Sequence, residues 1–436
     1  MAARHRPDLL VVSHSGARAG APMVLLRFLD WLGSATDVDA EVVLLHGGSM
    51  EHEFDRFGAH VIGGAQSRLW MVQRGLTNVG MGRSAAALAF ARQSPTLWRN
   101  RDASLMLLNS VGSLPALRFL PRTASSTNVL YIHEMDQSFE RTIGDSAWQL
   151  LSPKVDHFIS CADVVTDVLV RRGVSPERIT RHYGFIEEPQ VDPLRVAHVR
   201  RRMGISDDAF VIGGMGRPDW RKAPEVFARV ASALTHIRPD LPIHYVWIGG
   251  PVDSSPGWQL AHDFETLGIA DRFHLTGEIE DAVDVLAALD AFALTSREDA
   301  YPLAVLEASA LGVPVVSFEN GGITEFAAAG GGHPLATVVP YLDVHSMADE
   351  LLRLYTEPGR ADAIADRARQ FVVTNRLVEQ GAPALFGTLA TLVPQLDQRG
   401  DVVTRLPDRS AVPAPSLPGD VEITSGASSD VGDSAR

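Results

Sequence analysis

The chain has 436 residues, 45% of them hydrophobic, a formal net charge of −14 and one cysteine. That length exceeds what a single core serves and suits two domains plus a tail. The acidity argues against a nucleic-acid partner, which needs a basic face; the lone Cys161 leaves no intrachain disulfide and fits a reducing cytoplasm; and no apolar run reaches the roughly 18 residues of a membrane-spanning helix.

The opening MAARHRPDLLVVSHSG has a basic start, but LLVV is too short for a signal-peptide core and reads as a strand. LLVVS (9–13) leads through a glycine-bearing loop into APMVLLRFLDWL (21–32), which has helical period. EVVLLH (41–46), ASLMLLN (103–109), NVLYIH (128–133) and VDHFIS (155–160) read as short buried strands, with helices such as RSAAALAFARQ (83–93) and ADVVTDVLVRRG (162–173) between them. Short apolar strands alternating with helices predict a parallel sheet covered on both faces. After a linker near GFIEEPQVDP (184–193) the pattern restarts. AFVIGGMG (209–216), IHYVWIGG (243–250), RFHLTG (272–277), AFALTS (291–296) and VPVVSF (313–318) are its strands, and PEVFARVASALTHI (224–237) its first helix. Helical patterns resume at 346–357, 359–373 and 382–393, and from about 397 a Pro-, Ser-, Gly- and Asp-rich text predicts disorder.

Charge is unevenly placed. Seven arginines lie between Arg56 and Arg101 with no Asp or Glu among them, interleaved with Leu69, Trp70, Met71, Val72 and Trp98. Two readings stay open: a solvated helical face, or a patch that sits on an anionic membrane or a lipid-phosphate acceptor. Lys154 and Lys222 are the two lysines, so arginine supplies the other 37 of the 39 basic residues. A lysine inside a glycine-rich loop therefore stands out, because an ammonium and a guanidinium are not equivalent.

Several stretches carry chemistry. In REDAYPLAVLEASALGVPVV (297–316), Asp299 and Glu307 stand eight residues apart around Pro302, which suits the first turn of a helix ended by Gly312. A helix start at the carboxyl end of a parallel strand is a phosphate site, and a carboxylate grips two hydroxyls of a ribose or hexose. The alternative is an ordinary helix–strand unit whose acids are solvated. In GMGRPDWRKAPEVF (214–227), Arg217 and Lys222, with Arg221 as a third cation, can converge on a diphosphate or simply face water. SHSGARAGAP (13–22) lacks the G-x-G-x-x-G fingerprint, and the next strand ends in His46 rather than an acid, which disfavours nicotinamide binding. His133 and Glu134 end a strand at the sheet edge where ligands bind. ENGGITEF (319–326) places Gly321 and Gly322 ahead of a helix carrying Glu325. No P-loop, H-E-x-x-H, paired-cysteine zinc site or G-x-S-x-G elbow occurs, and the histidines and acids of HGGSMEHEFD (46–55) fit no metal spacing.

Taken together and in this order, these motifs resemble the family-4 retaining glycosyltransferases of the GT-B fold, over about residues 9–393. The resemblance implies two Rossmann-like, doubly wound α/β domains facing across a cleft. The parts in order are an N-terminal acceptor domain (1–188), a C-terminal nucleotide-sugar domain (189–375), a helix crossing back (376–396) and a disordered tail (397–436). The E-x7-E spacing is kept by Asp299 and Glu307, with aspartate replacing the first glutamate and Glu298 one place earlier, in the R-E-D-x-[FY]-P-L form. By that resemblance the first acid contacts the donor sugar and Glu307 the ribose, while Gly216, Arg217, Lys222, Tyr301, Pro302, Leu303, Gly321 and Gly322 complete the donor site, approached by Gly20. His133, Asp299, Arg217 and Lys222 are the implied catalytic set; Ser15, Ala21, His133, Glu134 and Asn109 (the last in LNSVGS) lie on the acceptor side. Base contacts are expected near LTGEIED (275–281).

The expected activity moves a sugar from a nucleotide diphosphate sugar to a sugar, lipid-linked or small-molecule acceptor, without metal or other cofactor and with retention. The expected place is the cytoplasm, with peripheral membrane contact through 56–101 under the second reading of that segment. A sugar-nucleotide epimerase and a non-catalytic sugar-nucleotide-binding scaffold are the alternatives.

Overall fold

The computed structural model describes residues 7–61, 103–118, 126–250, 255–279 and 282–397, and the backbone of 424–425. It divides into two compact units, Met1–Glu187 with Leu377–Asp408, and Glu188–Arg376 with Arg409–Arg436.

In the first unit the strands are β1 (Leu9–Ser13), β2 (Ala40–Leu44), β3 (His60–Val61), β4 (Leu105–Asn109), β5 (Thr127–Ile132), β6 (His157–Ser160) and β7 (Ile179–Arg181). They run parallel in the order β3-β2-β1-β4-β5-β6-β7. Every residue of β1 and β4 is buried, as their unbroken apolar runs require of strands covered on both faces. The helix Gly20–Ala35 buries Val24, Leu25, Phe28, Leu29 and Leu32, a stripe at helical spacing. The helix Val378–Leu392 groups with this unit: Phe386 meets Trp31 at 5.8 Å between ring centroids, and Leu377 bridges to Ile186.

The second unit repeats the plan with β8 (Phe210–Met215), β9 (Ile243–Ile248), β10 (Phe273–Leu275), β11 (Ala291–Leu294), β12 (Val315–Phe318) and β13 (Thr337–Val339). The order is β13-β12-β11-β8-β9-β10-β14, parallel except for the two-residue β14 (Thr424–Ser425), which is antiparallel to β10. Its core gathers Phe227, Tyr245, Trp247, Phe264 and Phe273, with Phe264 and Phe273 stacked at 3.7 Å. Full burial of each such side chain contributes about 1.5–3 kcal/mol.

One topological feature positions the chemistry. In each unit the chain walks outward from its first strand, then returns to that strand's other side: β4 lies beside β1, and β11 beside β8. Loops leaving the carboxyl ends of such a pair diverge to opposite faces and leave a crevice, where ligands bind in open α/β sheets.

The expected α/β class and both strand–helix runs are present. The short strands β3, β7 and β13 are too brief to carry a readable pattern, and the segment behind the linker forms a helix, Pro193–Arg202, capped by Asp192 accepting from the Leu194 amide at 2.9 Å. Of the tail read as disordered, only Asp397 and the β14 backbone are described. The helix read at 83–93 and the arginine-rich segment beyond 61 lie outside the described residues, apart from Arg56, which pairs with Asp30 at 2.5 Å. No described helix is long and apolar enough to cross a membrane.

Candidate functional site

In the second unit, three loops leave the carboxyl ends of β8, β11 and β12 and are bonded to one another. The β8 loop starts at Gly216, whose φ of 145° favours glycine. Its amide donates to the Ile248 carbonyl at 2.8 Å, and its own carbonyl accepts from the Trp247 indole at 3.0 Å. The Lys222 stem lies over it: a Cβ at 216 would stand 2.8–2.9 Å from Lys222 Cγ, Cδ and Cε. The loop ends at Ala223, held left-handed at φ 52° immediately before the helix Pro224–Ile237. Such a residue costs roughly 1–2 kcal/mol, so the surrounding bonds must impose the turn.

Those bonds centre on Asp299. Lys222 Nζ sits 2.6 Å from Asp299 Oδ2, Ser296 Oγ donates to the same oxygen at 3.1 Å, and Arg221 Nη1 stands 3.5 Å from Oδ1. The Lys222 and Asp299 side chains are only 12% and 9% exposed. Burial pushes the Asp299 carboxyl up, but the charges of Lys222 and Arg221 and its hydrogen bonds outweigh it and hold the group below its ordinary value. Burial also pushes the Lys222 ammonium down, and Asp299 only partly restores it. The pair thus sits in a medium where its charges are felt strongly and loss of either partner is costly.

Arg297 braces the same loops. Its amide donates to the Arg221 carbonyl at 2.7 Å, its guanidinium to the Trp220 carbonyl at 3.0 Å, and it pairs with Glu225 at 2.6 Å. From the β12 loop, Asn320 Nδ2 donates to the Ser296 carbonyl and the Gly322 amide to the Asp299 carbonyl at 3.1 Å. Beside them the helix Leu303–Ala310 begins with no side-chain cap. Its first turn offers backbone N–H groups and a positive dipole end to an anion.

In the first unit, Asn109 at the end of β4 ties two neighbours. Its Nδ2 donates to the Ala21 carbonyl at 3.0 Å, and its Oδ1 lies 3.0 Å from His133 Nε2. With Oδ1 accepting, the His133 proton is on Nε2 and Nδ1 is the acceptor. Burial, aided by the nearby His14 and His182, pushes His133 down to about 3, so the ring is neutral. Glu134 accepts from Ser110 Oγ, from the Val111 amide at 3.3 Å and from the His133 amide at 3.0 Å.

Residues 208–357 match the protein-family model described as Glycosyl transferases group 1. This stretch resembles a group 1 glycosyltransferase domain. The chain is 30% identical over 255 residues to the D-inositol 3-phosphate glycosyltransferase of Stackebrandtia nassauensis, covering 56% of each chain. It is 34% identical over 179 residues to the enzyme of the same name from Corynebacterium urealyticum, covering 40% of this chain and 41% of that one. The matches span about half the length of these curated relatives. Among solved structures it resembles Anabaena HepE in complex with UDP and glucose, at 18% identity and TM-score 0.73, covering 88% of this chain and all of that one. The fold is GT-B, and these matches agree with the family-4 resemblance of the motifs.

Within the group 1 domain, Gly216, Lys222, Asp299 and Gly322 come together in one bonded cluster. Arg221 is the second cation on Asp299, and Arg217, read with Lys222 as a diphosphate group, is exposed. Asp299 is buried in an ion pair with Lys222. Pro302 precedes the helix as its cap residue, with ψ 111°, rather than lying in the first turn. Glu298 is buried, and its carbonyl accepts from Arg221 at 3.5 Å. The buried Tyr301 accepts from Arg376 Nε at 2.9 Å through its hydroxyl. Leu303 opens the helix, Glu307 is half-buried in its second turn, Gly321 turns at φ 50°, and Glu325 is half-buried.

In the first unit, Gly20 is the first helical residue after an extended Ala19, and the Ser15 carbonyl accepts from Ser13 Oγ at 2.9 Å. Glu134, read as an acceptor-side group, accepts from three internal donors. Ser296, Arg297 and Asn320 were not singled out by sequence. The only available signal was their place at strand ends beside the motifs.

Proposed function

We propose that the protein is a retaining glycosyltransferase that takes its sugar from a nucleoside diphosphate donor held by the group 1 domain. The observation that carries this reading is the buried Lys222–Asp299 pair, with Arg221 beside it and an uncapped helix start alongside, at the switch point of the second sheet. In the reaction the bond from the anomeric carbon to the diphosphate breaks, and a bond to an acceptor oxygen forms. Charge grows on the leaving diphosphate while the sugar becomes oxocarbenium-like. Lys222, Arg221 and the Leu303 amide end supply the counter-charge, a role worth about 100- to 1000-fold in rate per donor in comparable sites. With these cations in place, a divalent metal is not needed for that task. Attack on the same face, with the acceptor proton passing to the leaving phosphate oxygen, gives retention. Glu307, one turn inside the helix, is suited to ribose hydroxyls. The neutral His133 and Asn109 of the first unit are suited to polar contact with hydroxyls.

The HepE structures with UDP, glucose and UDP-glucose support uridine as the first base to test. The relatives named for D-inositol 3-phosphate support a polyol or sugar hydroxyl as acceptor. UDP, GDP, dTDP and ADP should be compared by thermal shift, each with and without EDTA. One of them is expected to raise the melting temperature equally in both; at 100 times its Kd the stabilisation is about 2.7 kcal/mol. A shift that vanishes with EDTA rejects metal independence, and none at all favours a scaffold. Release of a free epimerised product from UDP-sugar without acceptor favours the epimerase.

The arginine-rich sequence 56–101 supports peripheral contact with an anionic membrane. Binding to vesicles is expected only when they contain anionic lipid, and it should weaken as salt rises. Salt-independent binding, or none, rejects that contact.

A further inference from the structure

The second unit holds a cavity of about 770 Å³ that the donor site does not use. It lies between the last turn of the helix Ile323–Ala328, the loop 332–336, the start of β13 and the helix Pro358–Asn375. Strands run parallel here, so this is the opposite edge of the sheet from the loops carrying Lys222 and Asp299. The volume falls in the range of small-molecule sites, roughly 300–1,000 Å³.

Its lining has two characters. Ala327, Ala328, Ala336 and Ile364 make an apolar wall, and Arg360 and Arg367 bring two guanidinium groups. Arg360 is matched: its Nη2 lies 2.5 Å from Glu350. Arg367 is not matched in the same way. Its Nη2 makes a long 3.4 Å bond to the Pro334 carbonyl, and its buried Nε has no hydrogen-bond acceptor among the described residues. Nε and Nη2 form one edge of the guanidinium fork, the geometry that takes both oxygens of a carboxylate. A buried donor on a charged group without an acceptor is what such an anion relieves.

From this combination we propose that the cavity binds a small monocarboxylate with an apolar body, its carboxylate on Arg367 and its chain along the alanine wall. One unmatched guanidinium suits one negative charge, and the apolar wall rewards a hydrocarbon body rather than a bare anion.

Hexanoate is the probe, with acetate testing charge alone and hexan-1-ol the apolar body alone. Isothermal titration on the full chain is expected to show saturable one-site binding of hexanoate. Both controls should bind at least about ten-fold more weakly, since each lacks one half of the recognition. Arg367→Gln removes the charge and Ala363→Trp fills the cavity from an exposed helix position. Each should weaken hexanoate by a similar factor while the melting temperature stays near wild type. If Arg367→Gln fails to fold, Ala363→Trp alone decides. No saturation by hexanoate overturns the proposal, as does wild-type affinity in the folded variants. Equal binding of hexan-1-ol and hexanoate also overturns it, because the site is then an apolar crevice.

Discussion

Lys222→Ala is expected to lower the rate of sugar transfer by about 100- to 1000-fold, the range found when one preorganised charge-stabilising donor is removed. The ammonium is held by two separate features: Gly216 leaves room for its stem, and Asp299 Oδ2 receives it at 2.6 Å. Removing it deletes a cation that the proposed reaction sets against the growing diphosphate charge. It also leaves a buried carboxylate with only Ser296 and the more distant Arg221. Breaking a buried pair on one side typically costs about 3–5 kcal/mol, and the remaining partners should hold the loss toward the lower end. The companion variant Lys222→Ala/Asp299→Asn should recover part of that stability, because no buried charge is then orphaned, yet recover no rate. Single-turnover kinetics and thermal melts on the wild type and these two variants check both halves. A Lys222→Ala enzyme within about ten-fold of wild type would remove the diphosphate assignment. Lys222→Arg is expected to rescue poorly: a planar fork does not occupy the slot over Gly216 shaped by an unbranched stem.

Gly322→Ala is the second large effect. The residue has an ordinary backbone, φ −72°, so the cost is steric rather than conformational. A Cβ there would lie 2.0 Å from the Ala300 carbonyl oxygen and 3.0 Å from its carbon. Those are backbone atoms, which cannot swing aside as a side-chain tip can. The 299–301 segment must move, breaking the bond from the Gly322 amide to the Asp299 carbonyl and displacing the carboxylate from Lys222. Nucleotide affinity is expected to fall by at least about ten-fold, with a stability loss of about 1–3 kcal/mol, typical of overpacking. Gly33→Ala is the matched control: the same methyl is added in the helix Gly20–Ala35 with no described atom within 4 Å. It should leave activity unchanged and raise stability slightly, because alanine is the better helix former. Titration calorimetry with the nucleotide found by thermal shift reads the contrast, and equal affinity in the two variants would detach the β12 loop from the donor site.

Both expectations draw on residues that sequence marked and on neighbours that it did not. Lys222 was visible as one of two lysines, set in a glycine-bearing loop between a strand and a helix. Gly322 was visible ahead of a helix, but the reason for glycine there, the Ala300 carbonyl at van der Waals overlap, depends on a contact between loops of different strands. In the linear text Arg217 stood with Lys222, and Arg221 came as a third cation. Only the turn ending at the left-handed Ala223 sends Arg221 toward Asp299 and leaves Arg217 in solvent. Glu134 illustrates the converse: it reads as an acid at the sheet edge where ligands bind, and the folded chain adds three internal donors.

Sequence alone determined the two alternating strand–helix runs, the glycine loops behind β1 and β8, and the acid–proline–acid stretch after β11, because apolar period and backbone permissiveness are local properties. Tertiary structure decided strand order, and with it which loops meet at a switch point; it also decided which cation faces Asp299 and which carboxylates are already satisfied. The Lys222–Asp299 bond joins positions 77 residues apart, and pairing at that separation is selected by the packing of the whole sheet rather than by anything either segment prefers by itself.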